Sequence, residues 1–114
     1  MNIQTIFAHV SCSDITVSSM WYEQLFGKPA DRHPMPGLSE WQFTESAALQ
    51  LYEDKKHAGA STLTIGVLSV ESERERLEKA KLKPEPVEET SKLFIIRLRD
   101  PDENLVVLAG PKKS

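Results

Sequence analysis

Cysteine occurs once, at Cys12, among 114 residues, so no internal disulfide can hold the chain together. Glycine occurs five times, in no arrangement that cradles a phosphate. The longest purely apolar run, residues 105–109, is far short of the roughly 20 residues that a membrane helix needs. The first ten residues, MNIQTIFAHV, carry neither a basic stretch nor a long apolar one, so no secretory signal is read there. Excess positive charge is missing too. Lys plus Arg number 14 against 17 Asp plus Glu, and the net charge is −3. Residues 1–57 hold 4 basic and 7 acidic side chains and residues 58–114 hold 10 of each, so neither half has the basic footprint of a nucleic-acid binder. Paired cysteines at zinc spacing and a Ser-His-Asp or Cys-His pattern are likewise not found. The expectation is a cytoplasmic protein that binds neither nucleic acid nor membrane.

What is present is ordinary for a globular domain: 39% hydrophobic and 27% charged residues, in a length typical of one domain. Residues 3–12 alternate as a strand, with Ile6, Ala8, Val10 and Cys12 on one face and Phe7, His9 and Ser11 on the other. Ser13 or Asp14 caps a helix that runs to about Phe26, with Val17, Met20, Trp21, Gln24 and Leu25 as its apolar-side stripe. Gly27 is placed to end that helix in a left-handed conformation. A Pro-rich loop at 29–37 leads to two short strands, 40–45 and 48–53, and 54–60 is a polar linker.

The pattern then restarts. Residues 62–70 read as a β-branched strand, and Ser72 with Glu75 makes a capping box for a helix to about Lys81. The mixed charges from Glu71 to Lys83 are a solvated helix face. Strands at 93–98 and 105–109 flank a turn, Asp100 to Asn104, and 111–114 is a frayed tail. Matching Asp14 with Ser69 superposes the halves at an offset of 55 residues, an internal duplication. One α+β domain over 1–114 follows, with module one at about 1–56 and module two at about 57–110.

The segments SDITVSSMWYEQLFG and RDPDENLVVLAG resemble the strand-to-helix segment and the terminal Asp-Pro-Asp-Gly-Asn hairpin of the vicinal oxygen chelate superfamily, the glyoxalase/bleomycin-resistance/dioxygenase family. Glu103 stands where the resembled turn has Gly. The resemblance covers nearly the whole chain. It implies two β-α-β-β-β modules forming an open cup, and a homodimer. In the metal-dependent members, the first and last strands of each module supply ligands to a divalent ion that stabilises an enolate or oxyanion as a Lewis acid. The corresponding positions here are Phe7, Thr62 or Thr64, Gln50 and Val107. One neutral amide among four positions holds no ion, so neither a metal nor another cofactor is expected.

Five residues are candidates for binding a ligand. His9 points to the same face as Phe7 and is either a pocket hydrogen-bonder or general base, or is tied to a neighbouring strand or dimer partner. Gln50 and Tyr52 alternate onto one face, where an amide and a hydroxyl either orient a ligand or merely line the cup. Trp41 shares a strand face with Phe43 and either stacks on a flat ligand or belongs to the core. Arg97 interrupts an apolar strand; facing the cup it favours an anionic ligand, and facing solvent it does nothing chemical. Cys12 reads as a buried, inert thiol. The function expected is metal-independent binding of a small molecule, in the manner of the bleomycin-resistance type. The alternatives are a superfamily lyase, isomerase or dioxygenase acting on a small oxygen-rich substrate, and a homodimeric interaction protein with no ligand.

Overall fold

A computed structural model describes residues 1–112. Chain order is β1 (Ile6–Cys12), α1 (Ile15–Phe26), β2 (Leu38–Thr44), β3 (Ala47–Glu53), β4 (Thr62–Gly66), α2 (Val70–Lys79), β5 (Glu88–Glu89), β6 (Leu93–Arg99) and β7 (Leu105–Pro111). The strands form two sheets, β1-β3-β2 and β4-β7-β6-β5, with β1-β3 and β4-β7 parallel and the other pairs antiparallel. Each module is thus strand, helix, strands. In the first module the position of the second module's short β5 is occupied only by an isolated bridge between Arg32 and Glu40. Pro111 closes β7 rather than opening a tail, and Lys113 and Ser114 of the predicted tail lie outside the described residues.

Local chemistry sets both helices. The Asp14 carboxylate accepts the backbone N–H groups of Thr16 at 3.0 Å and Val17 at 3.2 Å, satisfying donors the first turn leaves free. Gly27, at φ 74°, ends α1 and donates its N–H to Glu23 O at 2.8 Å. The second helix starts earlier than its predicted capping box. Ser69 is the cap, its hydroxyl oxygen accepting from Ser72 N at 3.2 Å, and Ser72 lies inside the first turn. The two caps, Asp14 and Ser69, are the pair the duplication matches.

The buried stripe of α1 is Ser18, Tyr22 and Leu25, whereas Val17 and Met20 are half exposed or more. Of the predicted stripe, Leu25 is buried and Trp21 partly so, while Ser18 and Tyr22, which carry polar atoms, take the other core-facing positions. Tyr22 packs between Trp41 and Phe26, with ring centroids 6.3 and 5.8 Å away, and buries its hydroxyl on a partner. Ser18 is small enough to sit under the other module's turn, its hydroxyl 3.4 Å from Asp102 Oδ2.

Side chains from the helix-facing sides of both sheets meet in one core: Val10, Cys12, Leu49, Leu51 and Trp41 from the first, Ile96, Leu98, Val106 and Leu108 from the second, with Tyr22, Leu25, Val70 and Leu77 from the helices and the start of α2. Burying each of the large ones contributes about 1.5–3 kcal/mol. Because the two helix-facing sides share this core, the opposite face of each sheet points outward.

Polar contacts lock the modules. Asp100 Oδ1 accepts the N–H groups of Asp102 and Asn104, both at 2.9 Å, while Oδ2 accepts from Tyr22 Oη and Asn104 Nδ2, both at 2.8 Å. Asn104 Nδ2 also reaches Ser11 O at 3.1 Å, and Asp102 Oδ2 accepts from Ser13 N at 3.0 Å. Glu103 holds φ 70°, so the turn keeps a left-handed residue where the resembled motif has Gly. On the other side, Arg76 of α2 donates to Gln24 O and Leu25 O at the end of α1, at 2.9 and 2.5 Å.

Candidate functional site

The outward face of the first sheet carries a row of polar side chains across all three strands. Register explains the row: His9 pairs with Gln50, and Gln50 with Glu40, and directly paired residues share a face. His9 Nδ1 lies 3.4 Å from Gln50 Oε1. Gln50 Nε2 donates to Glu40 Oε2 at 2.7 Å, and Arg32 Nε donates to Glu40 Oε1 at 3.1 Å. Arg32 Nη2 continues to Gln42 Oε1 at 2.9 Å. The Glu40 side chain is only 8% exposed, so its carboxylate is held by donors rather than by water. Tyr52, paired with Ser11 in the next row, puts its ring 6.2 Å from that of His9. Phe7, in the row on the other side, is 41% exposed.

The flanking electrostatics fix the Pro-rich loop. The Asp31 carboxyl is held below the usual carboxylate range by the Gln42 N–H at 2.7 Å and by Lys28. His33 and His57 stand away from the row: His33 Nδ1 is 3.3 Å from Ser39 Oγ, and His57 hydrogen-bonds Asp54 at 2.7 Å and lowers that carboxyl too.

Of the five predicted site residues, His9, Gln50 and Tyr52 come together. Trp41 does not join them. It pairs with Leu49, which faces the helices, so its ring is fully buried in the core and its indole N–H donates to Lys28 O at 3.0 Å. The aromatic reading as core is the correct one, and Trp41 cannot stack on a ligand in the cup. Arg97 pairs with Val107 on the outward face of the other sheet, where it forms an ion pair with Glu88 of β5. Within one chain it is therefore apart from His9. Sequence reasoning missed Glu40 and Arg32. Glu40 alternates with Trp41 in EWQFTE, which signals the opposite face, but only the strand register shows that it meets Gln50.

The divalent ion that the resemblance implies for metal-dependent members does not fit these residues. Phe7 offers no donor, Thr64 and Val107 pair across the second sheet with a hydroxyl and a hydrocarbon, and Gln50 is committed to Glu40 and His9. Among the described residues, no three His, Cys, Asp or Glu side chains converge in a way that holds a metal. An apolar cleft of about 410 Å³ opens between the two modules, lined by Ile6, Ala8, Phe43, Leu49, Leu63 and Ile65 among others. Its lining is mostly apolar, with the hydroxyls of Thr44, Ser46 and Thr64 and no ionisable group. No helix among the described residues is long and apolar enough to cross a membrane.

No family model matches the chain, and no curated protein matches it in sequence. Solved structures do match in fold. A glyoxalase/bleomycin resistance protein from Catenulispora acidiphila superposes with a TM-score of 0.88 at 21% identity, over 96% of this chain and 99% of that one. An antibiotic binding protein from Streptomyces sp. CB03234 gives 0.81 at 17% identity, over 95% of each chain. A lactoylglutathione lyase from Agrobacterium tumefaciens gives 0.79 at 15% identity, over 92% and 91%. At these identities the likeness is one of architecture, and a shared architecture hosts many chemistries. With its duplicated strand-helix-strand modules and two unclosed sheets, the chain has the glyoxalase/bleomycin resistance fold.

Proposed function

We propose that this protein is a metal-independent small-molecule-binding protein of the glyoxalase/bleomycin resistance type, acting as a homodimer in the cytoplasm. The observation that carries the reading is the row His9–Gln50–Glu40–Arg32, laid across an outward sheet face and flanked by Phe7 and Tyr52. An exposed imidazole held by satisfied polar neighbours, beside the rings of Phe7 and Tyr52, is suited to orient a ligand in a largely apolar site. The similar fold of proteins named for bleomycin resistance and antibiotic binding supports a binding role. The donor set at the expected ligand positions favours binding over metal-assisted chemistry.

The outward direction of both sheet faces supports the dimer. One chain leaves each face open, and a second copy laid with its second sheet over the first sheet of its partner encloses a cup. The partners on this reading are a second copy and a small molecule, not nucleic acid or a membrane surface. The net charge of −3 and the free, buried Cys12 agree with this and with a reducing compartment.

The test is a thermal-shift and calorimetric titration of the purified protein with bleomycin and a panel of planar aromatic antibiotics, each with and without EDTA. A ligand at 100 times its Kd stabilises the fold by about 2.7 kcal/mol. At least one probe is expected to raise Tm by several degrees, unaffected by EDTA, on a particle of twice the 12.8 kDa chain mass. Stabilisation by Zn²⁺, Ni²⁺, Mn²⁺ or Fe²⁺ that EDTA removes overturns metal independence, and a monomer that no probe stabilises overturns the binding reading.

A further inference from the structure

We infer that His9 presents a bare Nε2 lone pair to the cup, so that the site selects ligands carrying a hydroxyl donor on a planar carbon, a phenol or an enol. The inference rests on the binding reading above and narrows its ligand class.

The chain of reasoning starts at Glu40. A carboxylate oxygen only accepts hydrogen bonds. Arg32 Nε occupies Oε1 at 3.1 Å, and the atom 2.7 Å from Oε2 must also be a donor, so it is the amide nitrogen of Gln50. The bridge between Arg32 and Glu40 and the burial of Glu40 keep this pair in place. The Gln50 amide therefore cannot turn over, and its oxygen faces His9 Nδ1 at 3.4 Å. An amide oxygen accepts, so Nδ1 carries the imidazole proton. A neutral imidazole has one N–H, and Nε2 is left as an acceptor.

No protein hydrogen bond among the described residues engages Nε2, and His9 is exposed on the outward face. Tyr52, with its ring 6.2 Å away and tilted by 49°, and the half-exposed Phe7 flank the space. Aromatic walls favour a flat, hydroxyl-bearing ring over an aliphatic alcohol. The Arg32 charge is matched by Glu40, so the row itself offers no free cation to a phenolate, and a neutral donor is favoured. Glu40 and Gln50 act here as positioning residues: they touch no ligand and work by choosing the His9 tautomer.

The test combines ring ¹⁵N chemical shifts of His9 in the full-length protein with binding of 2-naphthol and 2-methoxynaphthalene. The two probes share a ring system, and only the first donates a hydrogen bond. The neutral form of His9 is expected as Nδ1–H, and 2-naphthol is expected to bind about tenfold tighter or better, because a site built to accept rejects an analogue without the donor. In Gln50→Leu the tautomer preference and the selectivity should vanish together, with Glu40→Gln intermediate. An Nε2–H tautomer in the unliganded wild type overturns the inference without any ligand. Equal affinities for the two probes, in a protein that still binds bleomycin or another antibiotic, overturn the ligand class alone. Failure of every probe overturns it together with the binding reading.

Discussion

The Tyr22 hydroxyl of the first module donates to Asp100 Oδ2 of the second at 2.8 Å, and both residues are buried. The bond spans the whole duplication, from the middle of α1 to the turn before β7. Tyr22→Phe keeps the ring packing and removes one of the two donors on that carboxylate oxygen. A hydrogen bond to a charged group contributes about 1.5–3 kcal/mol. Urea unfolding should therefore lose about that much stability, with an unchanged m-value; a midpoint equal to wild type would mean that the modules do not depend on this contact.

Alkali should weaken the fold. Burial, helped by the nearby Asp102, Glu53 and Asp100 carboxylates, pushes the Cys12 thiol up from 9.0 to about 11. Burial and Asp100 likewise push the Tyr22 phenol well above its ordinary value. Both groups are neutral in the fold at a pH where the unfolded chain ionises. The stability they confer is complete below pH 9 and is lost as pH rises, for Cys12 across the window from 9 to about 11. That window is worth about 2–3 kcal/mol for the thiol. Cys12→Ser or Cys12→Ala should flatten this part of the pH–stability curve, and the wild-type thiol should resist alkylation by iodoacetamide at pH 8 until the protein is denatured.

Glu103 sits at φ 70°, where an L side chain crowds its own carbonyl. Glu103→Gly removes that strain and should raise stability by about 0.5–1 kcal/mol, a shift of a few degrees in Tm. Glu103→Val should lower Tm, since a β-branched residue tolerates that region least. Equal melting of all three variants would show that the turn is free to relax.

Arg76 ties α2 to the end of α1 by donating to Gln24 O and Leu25 O while Glu73 braces it at 2.9 Å. These carbonyls belong to the last turn of α1 and lack helical partners. Arg76→Met should cost about 1–3 kcal/mol, the penalty for leaving such groups short of donors. Arg76→Lys should recover only part of it, because one ammonium cannot reproduce the planar fork. Denaturant midpoints of the three proteins check the order.

Much of this architecture was legible locally. The Asp14 cap, the Gly27 stop and the Asp100-to-Asn104 turn each depend on residues within five positions of one another. The alternation of β1 correctly separated Val10 and Cys12, which pack on the helices, from Phe7 and His9, which do not. The 55-residue offset matched the two helix caps. Harder to read were features that depend on a distant neighbour. In α1 the core-facing Ser18 and Tyr22 escape an apolar count because they carry hydroxyls whose partners, Asp102 and Asp100, lie more than 80 and nearly 80 residues on. Which of its two readings holds for Trp41 is decided by its pairing with Leu49, next to the register shift between Gln42 and Thr44.

The amino-acid sequence by itself determined the order of strands and helices and their caps and turns. Those properties follow from backbone chemistry and side-chain type over a few residues. Only the tertiary structure decided that Glu40 and Arg32 anchor the Gln50 amide, that Arg97 lies on the other sheet, and that both outward faces stay open in one chain. Strand register and the packing of one shared core are sums over contacts far apart in sequence, and no short window of residues contains them.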